Sequence, residues 1–163
     1  MSLQLQYGIY EIQNVGDNSL WAGSATTGGD LKPGAPLIAV NSAGPKVCVY
    51  ELCSNIVLTL LASQATVLLE PLGGDRYNLR STQAPLFIGY DSELDAPSVE
   101  FLPDPSEWAI DPASGEGHYR IHVPNKDQVW TLPAAPQPKL PVTLDPSRGR
   151  STQEWKLNRV LMD

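Results

Sequence analysis

The side chains best suited to chemistry in this sequence are two histidines, His118 and His122. Imidazole nitrogens act as general bases and as metal ligands. The two residues are four positions apart, so on a β-strand they share a face but lie too far apart to chelate one ion easily. We therefore expect no metal site here.

The sequence also lacks the short motifs that mark catalytic or nucleotide-binding centres. HExxH, GxSxG, Walker-type and GxGxxG patterns do not occur. The acidic run at 91–95 lacks the glycine and terminal glutamate of an EF-hand, which favours a solvated turn over a calcium site. We predict that the protein is not an enzyme and that it needs no cofactor or metal.

Length and charge restrict the partners. The chain has 163 residues, a net charge of −7 at pH 7 and a pI near 4.7. This length suits one well-buried core. Nucleic acids and anionic membranes attract cationic surfaces, whereas this chain is acidic and its basic residues are scattered. Residues 1–10 alternate polar and apolar types, unlike a signal peptide. We expect a single cytoplasmic domain, a monomer or weak homodimer, with no nucleic acid or membrane partner.

One stretch of the chain is repeated. Residues 67–79 (VLLEPLGGDRYNL) align with residues 108–121 (WAIDPASGEGHYRI), and halves of the motif recur as GIYEI at 8–12 and WKL at 155–157. Single units of this length cannot bury their apolar faces, whereas stacked units can. We infer three units that close on each other, at 7–73, 74–116 and 117–160.

Each unit divides into four short strands, because β-rich apolar runs alternate with Gly, Pro, Asn and Asp. The first strand carries a tyrosine, the third follows a proline, and the fourth carries a tryptophan in units two and three. In units one, two and three, the first strand is predicted at 10–15, 77–81 and 119–123. The second strand is predicted at 20–21, 86–88 and 129–132, and the third at 36–40, 97–101 and 141–144. Twelve strands without an amphipathic helix predict an all-β β-trefoil. The recurring aromatic residues are predicted to form its core, namely Tyr10, Tyr77, Tyr119, Trp108 and Trp155.

Residues 47–64 do not fit the repeat, and they contain both cysteines, Cys48 and Cys53. Tyr77 follows Tyr10 by 67 positions and Tyr119 follows Tyr77 by 42, and removing 47–64 shortens the first spacing to 49. Val47 and Cys48 can be encoded by GTATGT, Leu58 and Thr59 by CTAAC plus one base, and Gln64 by CAG. These nucleotide sequences look like the donor, branch point and acceptor of a short fungal intron. The segment is either a retained intron or a genuine apolar hairpin insertion. It is a poor membrane span, because polar residues interrupt it.

The repeat pattern resembles the mushroom β-trefoil peptidase inhibitors of the cospin and cnispin kind. The resemblance rests on three motifs in order, GIYEIQNV at 8–15, EPLGGDRY at 70–77 and EWAI at 107–110, and covers nearly the whole chain except 47–64. It implies an inhibitor of endopeptidases, serine-type by family, with a role in fungal defence or in regulating endogenous proteolysis.

The resemblance also implies an inhibitory loop between the second and third strands of unit one, where a basic residue after a glycine enters the primary pocket of trypsin. Here Ser24 follows Gly23, and Lys32 is followed by Pro33, which fits a trypsin-like site poorly. A loop of small residues instead suits a narrow cysteine-peptidase cleft, and related trefoils also act on aspartic peptidases. The predicted inhibitory loop consists of Gly23, Ser24, Ala25, Thr26, Thr27, Gly28, Gly29, Asp30, Leu31, Lys32 and Pro33.

A carbohydrate-binding lectin is the alternative, with a glycan as partner. The QEW sequence at 153–155 resembles the QxW signature of ricin-B-type trefoils, but units one and two carry ATV at 65–67 and SEW at 106–108. Such lectins usually offer an aspartate and an exposed aromatic ring in a shallow pocket. The available groups are Asp17 and Asn18 with Trp21, or Asp127 with Trp130.

Overall fold

The computed structural model describes residues 4–26, 30–41, 47–51, 58–62, 65–94 and 97–160. Three consecutive groups of four strands account for its main sheet. The first group is β1 (Gly8–Asn14), β2 (Trp21–Gly23), β3 (Ile38–Val40) and β6 (Thr66–Gly73). The second is β7 (Arg76–Ser81), β8 (Phe87–Tyr90), β9 (Val99–Leu102) and β10 (Glu107–Pro112). The third is β11 (His118–His122), β12 (Val129–Thr131), β13 (Thr143–Asp145) and β14 (Trp155–Arg159).

The first and fourth strands of the three groups form a closed barrel. Antiparallel pairing runs from β1 to β6, β7, β10, β11 and β14, and then returns to β1. The remaining six strands form the hairpins β2–β3, β8–β9 and β12–β13. Ring closure leaves the six barrel strands paired on both sides, so the barrel holds its shape and can position the loops between strands.

Three backbone hydrogen bonds join the hairpins in a triangle. The Leu37 amide donates to the Val99 carbonyl at 2.8 Å, the Val99 amide donates to Val142 at 3.0 Å, and the Val142 amide donates to Leu37 at 2.8 Å. Each of these residues is fully buried. This repeated contact gives the cap of the barrel pseudo-threefold symmetry. Together, the barrel and its cap of hairpins confirm the β-trefoil.

The prolines that precede the third strands lie at the ends of this cap. Pro36 and Pro141 form only isolated bridges, to Glu100 and to Ile38, and the regular strands begin two residues later. A proline has no amide hydrogen to donate to a ladder, so it is suited to a strand entrance. The strand predictions from 36 and 141 are therefore correct in place but begin too early.

The core is centred on a run of aromatic rings. Trp108 contacts Tyr90 and Trp130 edge-on, with ring centroids 5.0 and 5.3 Å apart, and Trp130 contacts Trp155 at 6.0 Å. All three indoles are completely buried. The core prediction is confirmed for Tyr10, Tyr77, Trp108 and Trp155, whereas Tyr119 is half-buried at the core's edge.

The segment that interrupts the repeat supplies a separate two-stranded sheet. β4 (Val47–Glu51) pairs with β5 (Leu58–Ala62), from Val47 opposite Ala62 to Glu51 opposite Leu58. Within the described ranges, neither strand pairs with the twelve-stranded sheet. The hairpin therefore contributes no strand to the barrel, and its origin as intron or insertion stays a prediction.

None of the described residues forms a helix that is both long enough and apolar enough to cross a bilayer.

Candidate functional site

The loop from β2 to β3 begins inside the barrel cap. Gly23 is the last residue of β2 and pairs with Ile38, the first residue of β3. Ser24 follows and is only 2% exposed, and its hydroxyl donates a hydrogen bond to the Thr26 carbonyl at 2.8 Å. This bond turns the chain outward, so that Ala25 and Thr26 are exposed.

The returning half of the loop is attached to the core and to β9. Leu31 is 7% exposed and belongs to the main apolar cluster. Three residues later, the Gly34 amide donates to the Phe101 carbonyl at 2.8 Å, and the Phe101 amide donates to Ala35 at 2.9 Å. Gly34 has a φ of +84°, a left-handed conformation that favours glycine. Both ends of the loop are thus held by the barrel.

The predicted loop therefore divides by exposure. Ala25, Thr26, Asp30, Lys32 and Pro33 are exposed, whereas Gly23, Ser24 and Leu31 are buried. Thr27, Gly28 and Gly29 lie outside the described residues. Sequence reasoning placed Ser24 at the position of a pocket-filling residue, but its hydroxyl is used within the turn. The side chains that the described part of the loop offers to a partner are those of the five exposed residues.

A second loop, from β12 to β13, lies beside the first one. The Lys139 amide donates to the Ala39 carbonyl at 2.7 Å, and the Ala39 amide donates to the Leu140 carbonyl at 2.8 Å. These bonds hold the end of the second loop against β3. Four prolines restrict the backbone of the loop further. They are Pro133, Pro136, Pro138 and Pro141.

Residues of both loops line a cavity of about 440 Å³. Ile38, Ala39 and Val40 of β3 contribute apolar lining, and the cavity is also lined by Ala25 of the first loop and by Pro138 and Lys139 of the second. The sequence contains no local signal for this arrangement, because the two loops belong to different units and meet only when the barrel closes. The pseudo-threefold repeat was the sole available indication that they could be neighbours.

The two histidines lie on β11 and have separate partners. His118 Nδ1 is 3.3 Å from Glu154 Oε2, whereas His122 Nε2 is 2.7 Å from Asp111 Oδ2 and its Nδ1 is 3.0 Å from the Val123 carbonyl. Glu154 also accepts hydrogen bonds from the Ser114 hydroxyl at 2.8 and 2.9 Å. Among the described residues, no group of His, Cys, Asp and Glu side chains is arranged to hold a metal ion. Each histidine therefore contacts a different acidic residue, His118 on β11 contacting Glu154 before β14 and His122 contacting Asp111 of β10.

The acidic stretch after β8 forms a local turn. The Asp91 carboxylate accepts the Glu93 amide at 2.9 Å, and residues 91–94 are exposed. Asp95 lies outside the described residues. A carboxylate that caps its own turn agrees with the solvated-turn interpretation.

The residues considered for a lectin site are not arranged alike. Trp130 is completely buried, so the prediction of a sugar platform from Asp127 and Trp130 is wrong: its strand directs the ring between Trp108 and Trp155. Trp21 is half-buried and packs on Ile38, Val40 and Ala65, close to the turn that contains Asp17 and Asn18.

The glutamine of the QEW sequence has a structural role. Gln153 is 1% exposed, its Nε2 donates to Thr131 Oγ1 at 3.1 Å and to the Pro146 carbonyl at 2.9 Å, and its Oε1 accepts the Arg148 amide at 2.7 Å. These bonds attach the 146–150 loop to β12. The adjacent cavity of about 320 Å³ is lined by polar and aliphatic side chains with no aromatic ring. The glutamine is therefore occupied within the fold.

Two tyrosines and one aspartate have perturbed acidity. Burial raises the pKa of Tyr10, an effect opposed by Arg159 and by the hydrogen bond to the Gln6 carbonyl. Burial also raises the pKa of Tyr90, with a contribution from the Glu107 charge. In the β1–β2 turn, hydrogen bonds from the Ser19 hydroxyl and amide lower the pKa of Asp17. All three shifts arise from local packing or turn geometry.

The comparisons with known proteins agree on the fold. No protein-family model matches the chain, and no curated protein sequence matches it. Among solved structures, a mosquitocidal holotoxin is similar at a TM-score of 0.75 and 14% identity, over 97% of this chain and 18% of that one. A Macrolepiota procera ricin B-like lectin in complex with lactose has a TM-score of 0.73 and 20% identity, over 96% and 99% of the two chains.

A proteinase inhibitor from Coprinopsis cinerea is also similar, with a TM-score of 0.65 and 15% identity over 96% of this chain and 100% of that one. The chain thus spans 18% of the holotoxin but nearly the full length of the two fungal proteins. At these identities the likeness establishes the β-trefoil fold alone. That fold is shared by a proteinase inhibitor and by lectins.

Proposed function

We propose that this protein inhibits endopeptidases, with serine peptidases as the first candidate targets. We propose that it binds its target through the exposed residues of the 23–33 loop. The observation that carries the proposal is the attachment of both ends of the loop. Ser24 and Leu31 are buried, and Gly34 is hydrogen-bonded to Phe101, while five residues between Ala25 and Pro33 are exposed.

A loop held in this way favours binding for an energetic reason. Ordering a flexible loop on association costs conformational entropy, and a loop that is already fixed at its base loses less of it. The closed barrel supplies a rigid support, since its six strands are paired on both sides. The similarity to the Coprinopsis cinerea proteinase inhibitor supports the same role. We propose a cytoplasmic, non-enzymatic protein whose partner is a peptidase.

The peptidase class follows from the chemistry of the exposed side chains. Ala25 and Thr26 are small, and the long exposed side chain among the described residues of this loop, Lys32, is followed by Pro33, which fits a trypsin-like site poorly. Small exposed residues suit a narrow cleft, which makes cysteine peptidases the alternative target and aspartic peptidases a further one.

Inhibition constants for trypsin, chymotrypsin, subtilisin, papain and pepsin test the proposal. Thr26→Trp with Asp30→Trp places bulky rings at exposed loop positions, and we expect it to abolish inhibition of whichever peptidase the parent chain inhibits. Leu72→Trp is the matched control, because Leu72 is 49% exposed near the end of β6, outside the 23–33 loop. Failure of the parent chain to inhibit any of the five peptidases contradicts the proposal.

A carbohydrate-binding role is the second candidate, and one observation favours it. Trp21 is half-buried rather than fully buried, and it directly follows the β1–β2 turn, where Asn18 is exposed. A glycan array run with the parent chain and with Trp21→Ala tests this role. Binding that disappears in Trp21→Ala supports a lectin, whereas binding to no glycan excludes it for the sugars on the array.

A further inference from the structure

The residue that stands out near the proposed loop is Lys139. Its φ is +73°, and the other non-glycine residue with positive φ among those described is Asn125. Asparagine tolerates the left-handed conformation, whereas lysine adopts it at an energetic cost because of its Cβ. Such a conformation persists only where neighbouring structure enforces it, and residues of this kind concentrate at binding sites.

The structure that enforces it is β3. Lys139 and Leu140 are each hydrogen-bonded to Ala39, at 2.7 and 2.8 Å, and Val142 is bonded to Leu37 at 2.8 Å. Ala39 is fully buried, so these bonds connect the second loop directly to the barrel cap. The direction in which the Lys139 backbone faces is therefore fixed before any partner binds.

The side chain of Lys139 is free to meet a partner. Lys139 is exposed, and it has no carboxylate within ion-pair distance among the described residues. It lines the 440 Å³ cavity, which Ala25 of the first loop also lines. A single target surface that covers Ala25 would thus also cover Lys139.

Lys32, the basic residue of the first loop, is placed differently. Its carbonyl accepts the Ala35 amide at 3.2 Å within a tight turn, and Pro33 follows it. Lys32 is absent from the lining of the cavity between the loops. Of Lys32 and Lys139, the exposed lysines of these two loops, Lys139 is the one that lines the cavity between them.

We propose that the peptidase-binding surface is formed by both loops and that Lys139 is its charged anchor, which enters the primary pocket of a trypsin-type peptidase. This inference rests on the inhibitor function proposed above. A trypsin-type pocket has a carboxylate at its base, and an ammonium group complements it. Because the backbone at Lys139 is left-handed rather than extended, it does not lie in the active-site cleft as a substrate does, and the Lys139–Leu140 bond stays intact.

The test compares inhibition of trypsin by the full chain and three variants. We expect Lys139→Met to raise the inhibition constant at least about 30-fold, as for a central anchor residue. Lys139→Arg keeps the positive charge and should inhibit trypsin more strongly than Lys139→Met, although its planar guanidinium differs in shape from an ammonium group. Lys126→Met is the matched control and should change little, because Lys126 is exposed on the turn between β11 and β12 and does not line the cavity between the loops. Thermal melts of each variant separate binding from folding, and mass spectrometry of the complex should show an uncut chain.

The outcomes separate this inference from the proposed function. Trypsin inhibition that is unchanged in Lys139→Met, or a chain cut after Lys139, overturns the role of Lys139 and leaves the inhibitor function standing. Inhibition of papain or pepsin but not of trypsin would likewise overturn the role of Lys139 and leave the inhibitor function standing. A chain that inhibits no peptidase overturns the inhibitor function itself.

Discussion

Replacing Trp108 by alanine should destabilise the protein more than any exposed substitution. The indole is completely buried, packs edge-on against Tyr90 and Trp130, and donates a 2.7 Å hydrogen bond from Nε1 to the Ile88 carbonyl. Removing a buried Trp side chain costs about 3–5 kcal/mol, and a buried carbonyl left without its donor adds about 1 kcal/mol. We expect Trp108→Ala to lower the free energy of unfolding by about 4 kcal/mol or more.

Trp155→Ala gives an internal comparison. Trp155 is as buried as Trp108, but it has one aromatic neighbour at 6.0 Å and a longer hydrogen bond of 3.2 Å to the Trp130 carbonyl. Its loss should therefore be the smaller of the two. Leu72→Ala, at a position 49% exposed, is the control and should cost less than about 0.5 kcal/mol.

Urea unfolding followed by circular dichroism measures these differences without relying on tryptophan fluorescence. For a chain of this size, about 3 °C of melting temperature corresponds to 1 kcal/mol, so Trp108→Ala should melt about 12 °C below the parent. A loss under about 1 kcal/mol would show that the Trp108 ring does not contribute to a packed core.

Three further predictions concern the insertion, the loop and the alkaline limit of stability. Deleting 47–64 should leave the melting temperature unchanged or higher, because β4 and β5 pair only with each other among the described residues. A much lower melting temperature of the deletion variant would contradict this. A transcript that retains these codons would exclude the intron. Gly34→Ala should cost about 1 kcal/mol through its φ of +84° alone, because an added Cβ meets nothing within 4 Å. Burial raises the pKa of Tyr10, so the unfolded state loses its proton first, and stability should fall as pH rises above about 10. Tyr10→Phe should flatten that fall in urea titrations, and an unchanged slope would exclude Tyr10 as its source.

The sequence predicted the fold because the fold repeats. Tyr10 and Tyr77 recur with Trp108 and Trp155 at equivalent places, and residues that recur in each unit of a closed structure face its shared core. The repeat did not predict the burial of Trp130, because no tryptophan recurs at its place in the other hairpins. Unit one has the buried Ala22 there and unit two the buried Ile88. The burial of Trp130 depends on packing between units, which no single strand reveals.

The candidate site was predicted less completely than the fold. The sequence could place the 23–33 loop between β2 and β3, but it could not show that Ser24 closes a turn with Thr26. It also gave no sign that Lys139 is hydrogen-bonded to Ala39, because that contact forms only when units one and three meet. Contacts between distant parts of the chain, rather than local preferences, decide which loop residues are presented together.

The most direct test of the proposed function is hydrogen–deuterium exchange of the protein alone and in complex with the peptidase that it inhibits most strongly. Amides that a partner covers exchange more slowly in the complex. We expect new protection in residues 24–35 and 133–141, with little change near the end of β6 around Leu72. Protection confined to the β1–β2 turn or to residues 91–98, with unchanged exchange in both proposed loops, would contradict it.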